Sequence, residues 1–269
     1  FWDEFFTLPG SLTERDMAQN IVQSAVALGE YRNISHAKDI FSALALQAGT
    51  SIVKRGEEGR PQVVLGERAQ KIGSAGEAAL RFYIEFSDPG KPTYSWNIAL
   101  PLSRDAFIAG DLAVYFGFAS ELGDLRLRNP NLNFDIAPLP QTRDAIKRLT
   151  MGRMNGIAIT RNSKAVNDAF RAAFVLSGAF AQRALSAESN LPPVRRDLIT
   201  TALQGSGDAF QTVFAEAALQ SAGWLDPDPA RSDEIFSRMI ESAVSGRARI
   251  NEALQRADSE LEQLLIRER

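Results

Sequence analysis

The chain has 269 residues, of which 45% are hydrophobic and 23% charged, and its formal net charge is −3. That size suits one large or two smaller globular domains with a sizeable core, and the slight acidity leaves no basic footprint for nucleic acid. Cysteine is absent and His36 is the only histidine. This excludes disulfides, thiolate metal sites, a cysteine nucleophile and histidine-based metal clusters, and any Ser-His-Asp triad would depend on one residue.

The first residues, Phe1 to Phe6, lack a methionine and begin inside an apparent amphipathic helix with Trp2 as a core anchor. There is no signal peptide, and no run of eighteen apolar residues predicts a membrane-spanning helix. The chain reads as a fragment or a processed form. Ile21 to Leu28 reads as a strand ending at Gly29, followed by a polar loop, Gly29 to Ser35. A helix is predicted from Ser35 to Gln47, with Ser35 as N-cap and Ile40, Phe41, Leu44 and Ala45 buried. His36 reads as a helix-start residue. Ser51 to Leu65 predicts a surface hairpin turning at Gly56 to Arg60. Ser74 to Phe86 predicts a second amphipathic helix.

The stretch from Tyr94 to Pro140 is the most informative. A short helix from Ser103 to Ala109 stops at Gly110, a suitable C′ residue. The apolar burst Leu112 to Phe118 is short and predicts a buried strand. A second helical run goes from Ala119 through Leu127, and a strand is expected across Phe134, Ile136 and the Pro-Leu-Pro segment. Helix, strand, helix, strand in so few residues is α/β grammar. Beyond it, Met151 to Thr160 reads as extended, and a helix from Ser163 to Leu185 carries Val166, Ala169, Phe170, Ala173 and Phe174 at helical spacing. Pro192 and Pro193 fix an extended turn before another helix. The last seventy residues read as helices broken at Gly223 to Arg231 and at Ser245-Gly246-Arg247.

Two places read as candidate binding positions from the residues themselves. The strand-to-helix turn carries Phe118, Ser120 and Glu121, and ligands of open α/β sheets gather at such turns. Its backbone amides can donate to hydroxyls or an anion, although Glu121 could equally be a first-turn acid favoured by the helix dipole. Tryptophans at irregular positions, Trp96 in a loop and Trp224 at a helix break, could offer flat apolar faces to sugar rings or could close the core.

The order Phe107, Ala109-Gly110, Ala113, Val114, Phe116 and the turn Gly117 to Glu121, followed by NPNLNFDIAPLPQ from Asn129 to Gln141, resembles the maltose-binding-type solute-binding proteins of ABC importers. The tryptophan-acidic start at Trp2, the PPVRR segment at Pro192 to Arg196 and the Ser245-Gly246-Arg247 break agree with it. The resemblance covers nearly the whole chain and the C-terminal two-thirds of a typical family member. It implies an α/β, type II periplasmic-binding-protein-like fold with one fairly complete lobe and a partial second one. Residues 1–152 would be the C-terminal lobe, 153–202 the hinge crossing and return segment of the other lobe, and 203–269 helices packing back. It adds Glu30, Tyr31, Asn33 and Arg153 to the candidate ligand-binding residues. It implies a sugar or oligosaccharide receptor that closes on its ligand, without catalysis or cofactor, monomeric when complete and serving an ABC permease in the membrane. The location implied is periplasmic or extracellular, with lipid anchoring open and the export signal absent from this chain. The alternatives are a carbohydrate-active enzyme using Glu121 and Glu30 as paired carboxylates, and a helical interaction or scaffold protein.

Overall fold

A computed structural model describes residues 1–56, 59–69, 73–143, 145, 147–205 and 208–267. A 3-10 turn, Trp2–Phe6, leads into α1, Leu8–Leu12, whose Pro9 sits at the helix start where no N–H is needed. The short β1, Glu14–Arg15, pairs antiparallel with β2, Ile21–Val26. Ala25, Val26, Ala27 and Leu28 are almost fully buried, as expected of an interior strand.

Helix α2, Ala37–Gln47, buries Ile40, Phe41, Leu44 and Ala45 as its periodicity predicts. Its N-cap position is taken by His36 with φ 60°, not by Ser35. Ser35 is drawn away because its N–H donates to Ser103 Oγ. The hairpin is β3, Val53–Arg55, against β4, Pro61–Val63. Glu57 and Glu58 of the expected turn lie outside the described residues. A second small pair, β5, Arg68–Ala69, and β6, Gly73–Ser74, leads into α3, Ala75–Ile84. Ser74 caps α3 by accepting from Glu77 N–H.

Helix α4, Ser103–Ala109, ends on Gly110 at φ 90°, a left-handed conformation that glycine adopts without steric cost. β7, Leu112–Val114, then runs parallel to β2, pairing Ser24 with Leu112 and Val26 with Val114. The sheet order is β1-β2-β7. A 3-10 turn at Ala119–Glu121 opens α5, Leu122–Arg128.

The strand expected across Phe134 to Pro140 does not form: no described residue between Asn129 and Leu149 joins a ladder. Pro138 and Pro140 remove alternate N–H donors, and the Pro140 carbonyl accepts instead from Gln47 Nε2. β8, Thr150–Met151, is short. The single helix expected over 163–185 is two, α6, Val166–Leu176, and α7, Ala179–Ser189, broken at Ser177-Gly178. The N-cap of α6 is Ala165, not Ser163.

α8, Arg196–Gly205, and α9, Ala209–Leu219, pack together and precede β9, Ser221–Ala222, which pairs parallel with β8. Asp228 caps α10, Pro229–Val244, through the N–H groups of Ala230 and Arg231. α10 packs on α11, Ile250–Arg267, and both cover α3, with α10 also on α2 and α11 on β4. Trp2, Phe41, Tyr83, Phe86, Trp96, Phe236 and Leu261 belong to this one core. Burying each such side chain is worth about 1.5–3 kcal/mol.

Candidate functional site

Three segments meet, one of them the start of α2. The first is the turn after β7. Glu121 folds back over it and accepts from Phe118 N–H at 2.9 Å and from Tyr115 hydroxyl at 3.0 Å. Gly117 makes that approach possible, because a Cβ there would lie 2.7 Å from Glu121 Oε2 and 2.7 Å from the Tyr115 ring. Arg104 Nε stands 3.4 Å from Glu121 Oε1.

The second is the start of α2 itself. His36 Nε2 is 2.9 Å from Glu121 Oε2, and its ring meets Phe118 edge to face at 4.9 Å. Burial alone would push the Glu121 carboxyl up, but hydrogen bonds from His36, Phe118 N–H and Tyr115 outweigh it and hold the group below its ordinary range. Burial and the Glu121 charge push the Tyr115 hydroxyl up, so it stays a donor.

The third is the pair of strands β8 and β9. Their parallel register matches Thr150 with Ser221 and Met151 with Ala222. Gly152 N–H donates to the Ala222 carbonyl at 3.0 Å, and Arg153 and Trp224 follow just beyond these last paired residues. Arg153 pairs with the buried Asp39 of α2 and lies over the Phe118 ring at 5.2 Å. Trp224 is half-buried and stacks on Phe236 at 5.8 Å. Lys38 Nζ anchors the chain just after it, donating to Asp226 Oδ2 at 3.0 Å and to the Pro229 carbonyl at 2.9 Å.

Of the expected site residues, Phe118, Glu121 and Arg153 come together, with Ser120 exposed on the same turn, while Trp224 packs against Phe236. Four others are placed elsewhere by their packing. Trp96 is 1% exposed, inside the core, so it cannot offer a face to a ligand. The Tyr31 hydroxyl donates to Asp233, and Asn33 donates to the carbonyls of Asn97 and Leu100. Both are buried ties between segments. Glu30 is half-buried and its carbonyl accepts from Tyr83 hydroxyl. Burial, then the charge of Glu241, raises its carboxyl. His36, Asp39, Tyr115 and Arg104 join the region without having been singled out for it.

The arrangement has an aromatic face, an exposed guanidinium, a fixed imidazole and carboxylates that already have partners. It is suited to polar recognition beside an apolar ring. Among the described residues, no group of three or more histidine, cysteine or acidic side chains is arranged to hold a metal ion.

No protein-family model and no curated protein matches the sequence. Solved structures do share its fold. A periplasmic-binding protein from Synechococcus sp. MITs9220 aligns with TM-score 0.59 and 14% identity over 98% of this chain and 70% of its own. An ABC transporter solute-binding protein from Thermotoga lettingae TMO, bound with α-D-tagatose, aligns with TM-score 0.58 and 15% identity over 98% of this chain and 64% of its own. The maltose/maltodextrin-binding domain MalE from Bdellovibrio bacteriovorus, bound to maltotriose, aligns with TM-score 0.61 and 13% identity over 97% of this chain and 65% of its own. The chain therefore has the α/β fold of the MalE-type periplasmic binding proteins, and spans about two-thirds of the length of the structures it matches.

Proposed function

We propose that this chain is the solute-binding part of an ABC importer receptor, that its ligand is a neutral sugar or oligosaccharide, and that it performs no catalysis. The observation that carries the reading is the meeting of Phe118, Glu121 and Arg153 with His36 and Asp39 at the start of α2, on a fold shared with proteins solved with maltotriose and tagatose. Sugars present apolar ring faces and hydroxyl edges, which an aromatic ring flanked by fixed polar groups complements. The charged groups of the region are paired among themselves, Arg104 with Glu121 and Arg153 with Asp39, and His36 Nε2 lies within hydrogen-bond distance of Glu121. A neutral ligand leaves those pairs intact.

In this reading residues 1–152 and 203–269 form one lobe and 153–202 belongs to the other, with Arg153 on the crossing between them. Ligand touching both sides favours the closed form because only there are all contacts made. The working location is periplasmic or extracellular, and the partner is a membrane permease. The paired-carboxylate enzyme is disfavoured by the state of Glu121. A carboxylate held by three donors and pushed below its ordinary range is a poor general acid.

The test is calorimetric titration of the chain with maltotriose and D-tagatose, repeated on Phe118→Ala and Trp224→Ala. Loss of one aromatic platform is expected to cost roughly 1–3 kcal/mol of binding, on the scale of base–aromatic stacking, or about 5- to 150-fold in affinity. Unchanged affinity with a sharply lowered melting temperature would identify that ring as packing. A chain that binds neither sugar overturns the carbohydrate reading.

A further inference from the structure

His36 is the only histidine of the chain and starts α2 with φ 60° and ψ 25°. A non-glycine residue in the left-handed region is uncommon and persists where surrounding contacts over-determine it. Here the contacts are on the ring. Nε2 lies 2.9 Å from Glu121 Oε2, and Phe118 meets the ring edge to face. An ionised carboxylate only accepts hydrogen bonds, so Nε2 must carry the proton it donates. In a neutral imidazole the other nitrogen, Nδ1, is then an acceptor with a free lone pair.

Nδ1 makes no hydrogen bond to any described residue. Asp39 Oδ2 lies 3.9 Å away, beyond hydrogen-bond distance, and is already taken by Arg153. The His36 side chain is a quarter exposed, at 26%, beside the half-buried face of Phe118. The charged groups around the ring are Glu121 and Arg104 on one side and Asp39 and Arg153 on the other. None of them supplies a donor to Nδ1 among the described contacts.

We propose that His36 is a solute-contacting residue. Glu121 fixes it as the Nε2–H tautomer, and Nδ1 accepts a hydrogen bond from a hydroxyl of a sugar lying against Phe118. The proposal rests on the carbohydrate reading above and sharpens it, since it asks the ligand for a hydrogen-bond donor at that position. Glu121 and the left-handed backbone act as the positioning elements, because they aim the ring before any ligand arrives.

A chain with one histidine gives one pair of imidazole nitrogen resonances, so the tautomer can be read directly by ¹H–¹⁵N correlation of the uniformly labelled 269-residue chain. The expected result is a proton on Nε2 and a lone-pair resonance on Nδ1. A proton on Nδ1, or on both nitrogens, overturns the proposal. Addition of maltotriose or D-tagatose is expected to move the Nδ1 resonance upfield together with the amides of residues 117–121. If those amides move and Nδ1 does not, the role of His36 fails while the carbohydrate reading stands. If neither sugar moves either set, both fail together. His36→Asn keeps a residue that tolerates the left-handed region but removes the ring acceptor. It is expected to weaken sugar binding roughly 2- to 10-fold, the scale of one hydrogen bond, and unchanged affinity would overturn the assignment.

Discussion

Helices α6 and α10 carry the same kind of apolar stripe and meet opposite fates. On α10, Ile235, Phe236, Met239 and Ile240 are 0–4% exposed, seated against α11, α2 and α3. On α6, Val166, Phe170 and Phe174 recur at the same spacing but are 53%, 64% and 72% exposed, with Phe180 of α7 at 88%. The main packing partner of α6 is α7. Periodicity therefore says that a helix has an apolar face, and says nothing about what covers it. Helix capping does not explain the difference, because a cap fixes where a helix starts and contributes only ~1 kcal/mol. What differs is the number of neighbouring layers. The body built on β2 and β7 is covered by the C-terminal helices, whereas α6 and α7 stand outside it.

The largest effect should come from breaking the buried stripe. Phe236 is fully buried and its ring contacts Phe41 at 5.5 Å and Trp224 at 5.8 Å. Phe236→Ala is expected to destabilise the chain by about 3–5 kcal/mol, the transfer loss plus an uncollapsed cavity. Urea denaturation measures it. A loss below about 1 kcal/mol would mean that α10 is not the lid of the core that its burial indicates.

A smaller effect sharpens how α11 is held. Its Asp258 accepts from Gly66 N–H at 2.9 and 3.2 Å, and Glu262 accepts from Val63 N–H at 2.9 Å, so two carboxylates clamp the β3–β4 hairpin and the turn after it. Burial pushes the Asp258 carboxyl from 3.8 to about 6, with the charges of Glu262 and Glu67 adding to it and the Gly66 N–H opposing. A group raised in the folded state binds its proton longer there than in the unfolded chain. Its contribution to stability is therefore greatest below about pH 4, falls as pH rises to about 6, and is flat above. Asp258→Asn should remove that slope and be the more stable form at pH 7.5, by on the order of 1 kcal/mol after allowance for solvent screening. Paired urea titrations at pH 4.5 and 7.5 measure it. A variant that is less stable at pH 7.5 would show that the charged hydrogen bond to Gly66 outweighs the burial of the carboxylate.

The sequence carried the central unit of this fold well. The Gly110 stop, a strand after it and the turn into α5 are local decisions, written in residue types a few positions apart, although the strand spans only Leu112–Val114 of the expected Leu112 to Phe118. The strand expected at Phe134 failed because two prolines cannot serve a ladder, a local fact outweighed in the reading by apolar content. The split of α6 from α7 failed because apolar spacing runs on across Ser177-Gly178. For the proposed site, turns and helix breaks mark Phe118, Glu121 and Trp224 in the sequence, and the structure sets the first two beside Arg153. Trp96, Tyr31 and Asn33 show the limit: a residue can sit in a loop by sequence and still be buried in space. His36 sits at the start of α2 as the sequence reads, but its contact with Glu121 was not legible because it depends on a left-handed backbone and on a carboxylate 85 residues away.

The smallest expected change in stability comes from the exposed stripe, and it separates packing from association. Phe174 is 72% exposed and Phe180 is 88% exposed, so replacing either leaves no cavity. Phe174→Glu with Phe180→Glu should change unfolding free energy by no more than about 0.5 kcal/mol per site, as for other surface positions. The same pair should alter solution behaviour much more. Phe170, Phe174, Val175 and Phe180 expose large apolar side chains on two adjacent helices, and exposed apolar patches promote association. The parent chain is expected to sediment as concentration-dependent oligomers and the double variant as a monomer at the same loading. A monodisperse parent would show that the projecting helices do not stick together in water. A double variant that unfolds early would show that their apolar face is covered in solution, and that α6 resembles α10 more than its exposure indicates.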